Sequence, residues 1–175
     1  MKIEGTHNLK APRDLVWHLL IDPEVLSRCV PGIQTLESVA ENSYKITLKA
    51  GVGAIKGVYN GAIRLEDMRA PEHYKMLVDG KGSTGFVKGT GALDLVEQGD
   101  ETAINYSGDV SVGGTIASVG QRLILTSAKM MTAQFFAALE AEAAAIITAE
   151  ENDEPVVTPK QGLLRNTFRA IKRKL

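Results

Sequence analysis

The sequence has few of the residues that build covalent cross-links or metal centres. Its 175 residues include one cysteine, Cys29, and three histidines, His7, His18 and His73. One cysteine excludes an intrachain disulfide framework and any all-thiolate metal or iron–sulfur centre within one chain. The histidines are too scattered to indicate a metal site. We therefore expect no metal and no covalently bound cofactor.

Long apolar runs and a secretory leader are also missing. No run of about 18 consecutive apolar residues exists, so we expect no membrane span. The N-terminal residues Met1–Gly5 lack the apolar stretch of a signal peptide, which predicts a cytoplasmic location. Apolar residues make up 44% and charged residues 23% of the chain, as in an ordinary globular protein. The length predicts one domain with an appendage.

Acidic residues are absent from one end of the chain. The net charge is −1, yet residues 160–175 contain six basic and no acidic side chains. The other 159 residues contain 14 basic and 21 acidic side chains. Because phosphate repels an acidic body, this distribution argues against general nucleic-acid binding.

Hydrophobic patterning predicts a mostly antiparallel sheet. Residues 2–10 alternate between apolar and polar side chains, and the same period of two recurs from Ile33 to Val112 between turn clusters. This pattern predicts about six or seven strands with one wet face. Pro12 and the sequence Asp22-Pro23-Glu24 are helix-start signals, so two short helices should follow the first strand.

After Gly113-Gly114 the hydrophobic period becomes helical. The apolar stripe through Ile116 and Leu123 predicts one long helix that ends near Ala149. This order of elements predicts an α+β fold, in which a curved antiparallel sheet wraps around the long C-terminal helix. We divide the chain into a ligand-binding domain (1–149), a flexible acidic and proline-containing linker (150–162) and a basic amphipathic tail (163–175).

Glycine is concentrated in the predicted sheet, where 14 of the 17 glycines lie between Gly51 and Gly120. A strongly bent sheet explains them, and space for a ligand on the concave face is a compatible explanation. Phe135 and Phe136 are not expected both to face inward. A filled core is the alternative to a ligand cavity at every candidate position. The candidates carry apolar, flexible or hydroxyl-bearing side chains: Tyr59, Tyr74, Tyr106, Leu123, Ser127, Met130, Met131 and Gln134.

Motifs for catalysis are absent from the sequence. The glycine-rich stretch Gly82–Thr90 lies in a strand pattern and lacks the order of a phosphate-binding loop. Cys29 is a candidate nucleophile only with a nearby base, and a small core residue is the better interpretation. No acidic residue falls on an inferred inward face, so we assign no catalytic residue.

The C-terminal segment has the pattern of a membrane-surface helix. Its apolar residues recur at i, i+4, i+7 and i+11, and basic residues flank them. Such a segment lies naturally on an anionic membrane and predicts reversible attachment. Docking on a partner protein and a solvated, unstructured tail are the alternatives. The predicted membrane residues are Leu164, Arg165, Phe168, Arg169, Ile171, Lys172, Arg173, Lys174 and Leu175.

Two separated motifs resemble those of a known family. The segments Ala11–Trp17, Asp22–Leu26 and Cys29–Gly32, followed by Gly113–Arg122 and Phe135-Phe136, resemble the CoxG family of carbon monoxide dehydrogenase subunits. The resemblance covers about residues 1–145. It implies a START/SRPBCC helix-grip fold with an apolar cavity, and an accessory role beside a molybdenum-containing CO dehydrogenase or related hydroxylase at the cytoplasmic membrane. The motifs carry no catalytic residues that could be transferred.

Together these observations predict a non-catalytic carrier of a lipophilic ligand. The ligand expected is a respiratory quinone (menaquinone or ubiquinone) or another lipid, and the tail would hold the protein on the inner face of the cell membrane. A small enzyme of the polyketide-cyclase type is the first alternative, which would need a histidine, tyrosine or acid in the cavity. A ligand-free membrane adaptor is the second.

Overall fold

A computed structural model describes residues 1–152, so the predicted tail and most of the linker lie outside the described residues. The elements follow the predicted order. They are β1 (Lys2–Leu9), α1 (Arg13–Ile21), α2 (Pro23–Cys29), β2 (Ile33–Ala40), β3 (Ser43–Val52), β4 (Ile55–Arg69), β5 (His73–Gly82), β6 (Gly85–Gln98), β7 (Glu101–Gly113), a short 3-10 helix (Thr115–Val119) and α3 (Gln121–Glu151).

The seven strands form one antiparallel sheet in the order β1-β7-β6-β5-β4-β3-β2. Successive strands from β2 to β7 are neighbours, while β1 pairs with the last strand, placing Lys2 opposite Asp109 and Leu9 opposite Thr102. The apolar side chains of the alternating pattern share the face that packs against α3. The predicted α+β fold, with a curved sheet gripping a C-terminal helix, is confirmed.

The two short helices lie where the proline signals predict them. Asp22 caps α2 by accepting a hydrogen bond from the Glu24 backbone N–H at 2.9 Å, and Pro23 occupies the first helical position, where a missing N–H costs nothing. Val30 and the turn through Gly32 end this helix and lead into β2. Both helices pack against α3 at its C-terminal half.

The long helix begins later than the sequence pattern predicts. Residues 115–119 form a separate 3-10 helix, and Gly120, with a φ of +94°, interrupts the backbone before α3 starts at Gln121. A positive φ is incompatible with a continuous α-helix, so the two segments have different axes. The helix then runs to Glu151, close to the predicted end.

By length and mean hydropathy, α3 is the one helix among residues 1–152 that could cross a membrane. The sequence analysis expected no membrane span because the chain lacks a run of about 18 consecutive apolar residues. An alanine-rich helix such as α3 can reach a high mean hydropathy without such a run. In the structure, one face of α3 is buried in the domain core through Phe136, Leu139, Ala143 and Ile146. One face of α3 is therefore part of the core of the folded domain, and the opposite face is exposed.

The most completely buried side chains lie between α1, α2 and the C-terminal half of α3, and nearly all of them are aliphatic. A two-pronged ion pair joins α2 to α3 across this region: Arg28 Nε and Nη2 donate to the Glu142 carboxylate at 2.6 and 3.1 Å. We call this region, with the parts of β1 and β7 that it covers, the packed half, and its fully buried aliphatic residues include Leu9, Leu15, Val16, Leu19, Ile104 and Leu139.

Candidate ligand-binding cavity

A cavity of about 450 Å³ separates the middle of the sheet from α3. All seven strands contribute side chains or backbone to the sheet side of the cavity. Met131, Thr132, Phe135 and Phe136 line the side formed by α3. Leu26 of α2 and the turn that follows that helix close one end. The wall is almost entirely apolar, as is typical of sites for lipophilic ligands.

Missing side chains create much of this space. Gly89 and Gly91 of β6 and Gly108 of β7 line the cavity, and Gly91 lies directly opposite Gly108 in the sheet. At these positions the cavity reaches the backbone of the strands. A Cβ atom on Gly91 would meet nothing closer than the Ser107 carbonyl oxygen at 3.5 Å, which is ordinary contact. The space beside Gly91 is therefore empty and large enough to receive a side chain.

Tyrosine hydroxyls are the main hydrogen-bonding groups that side chains bring to the wall. Tyr44, Tyr74 and Tyr106 line the cavity, and among residues 1–152 no acid, lysine, arginine or histidine does. Burial raises the pKa of Tyr74 well above its ordinary value, with a smaller contribution from Tyr44. Burial also raises the pKa of Tyr44, assisted by the negative charge of Asp22. Both phenols therefore stay neutral and can donate hydrogen bonds to a ligand oxygen.

An aromatic cluster fixes the part of the α3 side of the cavity that is near β1. Phe136 stacks on His7 with ring centroids 4.7 Å apart, and it contacts Tyr106 and Phe135, each at 5.3 Å. The Tyr106 hydroxyl lies over Gly5, where a Cβ atom would be only 2.5 Å from it. Gly5 is therefore required for the position of Tyr106 at the cavity wall.

A second cavity of about 260 Å³ extends from the first toward the 3-10 helix. The two share eight wall residues, including Met131, so they are adjoining chambers. Tyr59 lines the second chamber, and its hydroxyl is hydrogen-bonded to Thr84 Oγ1 at 2.5 Å. Ile116 and Ile124 close its far end.

Five of the eight predicted cavity residues line these chambers. Tyr74, Tyr106 and Met131 face the larger one, and Tyr59, Ser127 and Met131 face the smaller one. The prediction was wrong for the other three α3 residues, which are exposed: Leu123, Met130 and Gln134. Successive residues of a helix point about 100° apart around its axis. A predicted stripe that is displaced by one residue from the inward face therefore points largely to solvent. The inward stripe instead runs through Ile124, Ser127, Ala128, Met131, Thr132, Phe135 and Phe136.

The expectation that Phe135 and Phe136 cannot both face inward was also wrong. Both line the larger cavity, because the curved sheet covers a wide arc of α3. Sequence reasoning also missed wall residues that share the alternation of the chosen tyrosines, such as Tyr44, Met76 and Leu93. Their position on the apolar side of each predicted strand was the signal that could have found them.

Cys29 is a core residue, as the sequence favours. It is buried beside α1 and α3, and burial raises the pKa of its thiol to about 11, so it is protonated at neutral pH. A protonated, buried thiol is a poor nucleophile. Within the part of the chain that the structure describes, no group of three or more histidine, cysteine or acidic side chains is placed to hold a metal ion.

Comparison with known proteins agrees with the resemblance seen in the sequence. The family model of CoxG, a carbon monoxide dehydrogenase subunit, matches residues 5–144. A conserved protein from Geobacillus kaustophilus is 37% identical, with a TM-score of 0.80, over 82% of this chain and 95% of that chain. No curated protein matches the sequence.

Two more distant solved structures share the fold. The Zhui aromatase/cyclase from Streptomyces sp. R1128 is 14% identical, with a TM-score of 0.64, over 84% of this chain and 95% of that one. A START superfamily protein from Mycobacterium smegmatis is also 14% identical, with a TM-score of 0.63, over 82% of this chain and 97% of that one. At such low identity these similarities concern the fold alone.

Proposed function

The chain belongs to the CoxG family of carbon monoxide dehydrogenase subunits, and from this premise we propose that it carries a respiratory quinone or a similar lipid for a molybdenum-containing dehydrogenase. It acts as an accessory protein without catalytic residues of its own. The single observation that supports this function best is the apolar cavity of about 450 Å³ between sheet and helix.

The size and shape of the two chambers suit an amphipathic ligand. Cavities for small organic ligands span about 300–1,000 Å³, and the larger chamber lies within that range. The second chamber offers an apolar continuation in which the hydrocarbon chain of a lipid can lie. A quinone combines a ring with an apolar chain, so it would use both chambers.

The wall chemistry supports a ligand with few polar atoms. The neutral hydroxyls of Tyr44 and Tyr74, whose pKa values are raised by burial, can donate to the two carbonyl oxygens of a quinone ring. Because none of the described residues that line the larger chamber is charged, an ionic head group would be buried there at high cost. A neutral quinone is therefore favoured over a fatty acid anion in this chamber.

Membership of the family supports a partnership with a molybdenum-containing CO dehydrogenase or a related hydroxylase. In our proposal the protein resides in the cytoplasm, on the inner face of the cell membrane. There the tail through Phe168 and Leu175 holds it reversibly, with a contribution of about 1 kcal/mol from each basic side chain near anionic lipid. The carrier thereby connects the dehydrogenase to the quinone pool.

The cavity is tested by filling it. In Gly91→Leu, the new side chain would project into the larger chamber where a Cβ has room. The matched control is Gln98→Leu, which adds an apolar side chain at an exposed position of the same strand outside both chambers. We expect organic extracts of purified protein, analysed by mass spectrometry, to contain a quinone or lipid for the parent chain and Gln98→Leu, and at least tenfold less for Gly91→Leu.

Equal lipid content in all three proteins, or no lipid together with no binding of added menaquinone or ubiquinone, would contradict the carrier function. Deletion of residues 160–175 separates the carrier from a pure adaptor. A carrier without its tail still binds quinone in solution and loses vesicle binding, whereas an adaptor loses its only function.

A further inference from the structure

One end of the folded domain carries basic and apolar side chains but, among residues 1–152, no acidic ones. We call this end the cationic tip and define it by three segments: residues 49–58 of the β3–β4 hairpin, residues 81–88 of the β5–β6 hairpin, and residues 110–130. These segments contain six basic residues and no acidic residue, whereas the remainder of residues 1–152 contains eight basic and 19 acidic residues. The basic residues of the tip are Lys49, Lys56, Lys81, Lys88, Arg122 and Lys129.

The three segments meet in the structure. The Ile116 backbone N–H donates to the Thr84 carbonyl at 2.8 Å, which joins the 3-10 helix to the β5–β6 turn. The Tyr59 hydroxyl is bonded to the side chain of the same Thr84, which joins the β3–β4 hairpin to that turn. The three segments that lack acidic residues are therefore neighbours in space as well.

The basic side chains of the tip are available to a partner. All six are exposed, and none forms an ion pair within 4.0 Å with any of residues 1–152. Outside the tip, six of the eight basic residues in 1–152 lie within 4.0 Å of an acidic side chain, and the two that do not are Lys10 and Lys45. Acidic residues begin just beyond the tip, with Asp79 opposite Lys88 in the sheet and Asp109 opposite Thr90.

Exposed apolar side chains accompany these charges. Among residues 1–152, six large hydrophobic side chains are exposed, and four lie in the cationic tip: Val58, Phe86, Leu123 and Met130. On α3, Leu123 and Met130 are seven residues apart, as are the adjacent Arg122 and Lys129, so each pair recurs on one side of the helix. Basic side chains interleaved with exposed apolar ones are typical of surfaces that bind anionic membranes.

We propose that the cationic tip is a membrane-docking face of the folded domain, and that its partner is an anionic lipid bilayer. α3 begins in the tip at Gln121 and ends about 45 Å away at Glu151, at 1.5 Å per residue, and the linker and tail follow that far end in the sequence. The tip and the tail are therefore separate segments that can be altered one at a time. The tip also surrounds the far end of the smaller chamber, where Val52, Ile116 and Ile124 lie. If the carrier function holds, docking places that chamber against the bilayer that supplies the ligand.

The charge of the tip is tested in the full chain on vesicles of 30% phosphatidylglycerol in phosphatidylcholine. Each basic group near such a surface contributes roughly a fivefold change in binding. We therefore expect Lys56→Gln/Lys81→Gln to weaken co-sedimentation affinity by about 10- to 25-fold. The control Lys10→Gln/Lys75→Gln makes the same change in net charge outside the tip, and we expect it to weaken binding less than twofold.

The apolar part is tested on the same vesicles. Phe86→Ser should weaken binding several-fold, whereas Val96→Ser, an exposed apolar residue of the same strand outside the tip, should leave it unchanged. Circular dichroism melts check that each variant is folded.

Binding of the tip variants within twofold of the parent would overturn the proposal, as would equal weakening by both charge pairs. Loss of binding to the dehydrogenase with unchanged vesicle binding would overturn it in favour of a protein partner. None of these results depends on quinone binding, so the carrier function is judged separately.

Discussion

The same sheet and the same helix enclose one region that side chains fill and one that contains a cavity. In the packed half, Leu9, Leu19 and Leu139 are fully buried between α1, β1 and α3. Farther along the sheet, Gly89, Gly91 and Gly108 face α3 and a cavity remains. The backbone architecture is continuous across the two regions, so side-chain size decides which one is filled.

This comparison separates stability from binding. Full burial of large aliphatic residues in the packed half stabilises the fold. The hollow half, by which we mean the part of the domain around the two chambers, lacks part of that stabilisation, since cavity walls have no contacts on one side. The ligand cavity can therefore be altered with small effects on folding, and the packed half cannot.

Truncating one core residue in each region should show the largest difference. Leu139→Ala removes a fully buried side chain from the packed half and should lower the free energy of unfolding by about 3 kcal/mol. Met131→Ala only enlarges an existing cavity, and about 1 kcal/mol is expected. Urea titrations measure both, and equal losses would show that the two regions are packed alike.

The next largest difference should appear when one methyl group is added beside the cavity, at a position that a side chain already fills and at one that is open. In Gly5→Ala the new Cβ would overlap the Tyr106 hydroxyl, so the ring must move, at a cost of about 1–2 kcal/mol. In Gly91→Ala the new Cβ has room, and the change should stay within about 0.5 kcal/mol. Thermal melts distinguish the two, and a stability loss in Gly91→Ala as large as that in Gly5→Ala would argue against free space at the wall.

The ion pair between Arg28 of α2 and Glu142 of α3 should contribute less to stability than the packing changes above. Glu142 holds the pKa of the Arg28 guanidinium above its ordinary value, chiefly through their hydrogen bond. Both groups are partly exposed, so Glu142→Gln should lower stability by about 0.5–1 kcal/mol. Glu66→Gln, which breaks the more exposed pair with Arg64, is the control, with no measurable change expected. The same stability change in both variants would mean that the contact between α2 and α3 is not specially stabilising.

At neutral pH the smallest effect on stability is expected from the titration of Cys29, because its contribution appears only in alkaline solution. Its thiol pKa rises from 9.0 to about 11 on folding, because burial disfavours the thiolate. The neutral form is thus favoured in the folded state, and this stabilisation is complete below pH 9 and lost as pH rises through 11. Cys29→Ala should show a shallower loss of stability over that pH range. An identical pH profile for the variant would contradict the raised pKa.

The same thiol reports packing through its reactivity. At mildly alkaline pH, Cys29 should react with maleimide far more slowly than a cysteine placed on the cavity wall in Cys29→Ala/Met131→Cys. The second thiol should become protected when a ligand is bound. Equal reaction rates in the folded proteins would mean that the packed half opens as readily as the hollow one.

The sequence predicts the sheet and the short helices well because their signals are local. Alternation along the strands and the Asp22–Pro23 start of α2 depend on neighbouring residues only. The break at Gly120 depends on one backbone angle, which an apolar stripe running through it conceals. The fold class can therefore be predicted from the hydrophobic periodicity of the sequence, whereas the first residue of α3 cannot.

The cavity was predictable in kind and only partly in detail. Tyr74 and Tyr106 were predicted correctly because the side chains of a strand alternate between only two faces. Once the apolar face is identified, each residue is assigned to one face or the other without an intermediate direction. Leu123, Met130 and Gln134 were misplaced because a helix has a continuous surface, and a shift of one residue moves a side chain by about 100°. The arc of α3 that the sheet covers depends on sheet curvature, which also explains why both Phe135 and Phe136 face inward.

The pairing of β1 with β7 has a consequence for how the protein is made. Ile3 lies opposite Gly108, so the first strand waits for more than a hundred later residues before it can join the sheet. Such distant pairing slows folding. Because α3 follows β7 in the chain, the apolar inner face of the sheet stays uncovered until the ribosome has synthesised nearly all of the domain. A nascent chain of this protein would be a natural client for chaperones that bind apolar strands.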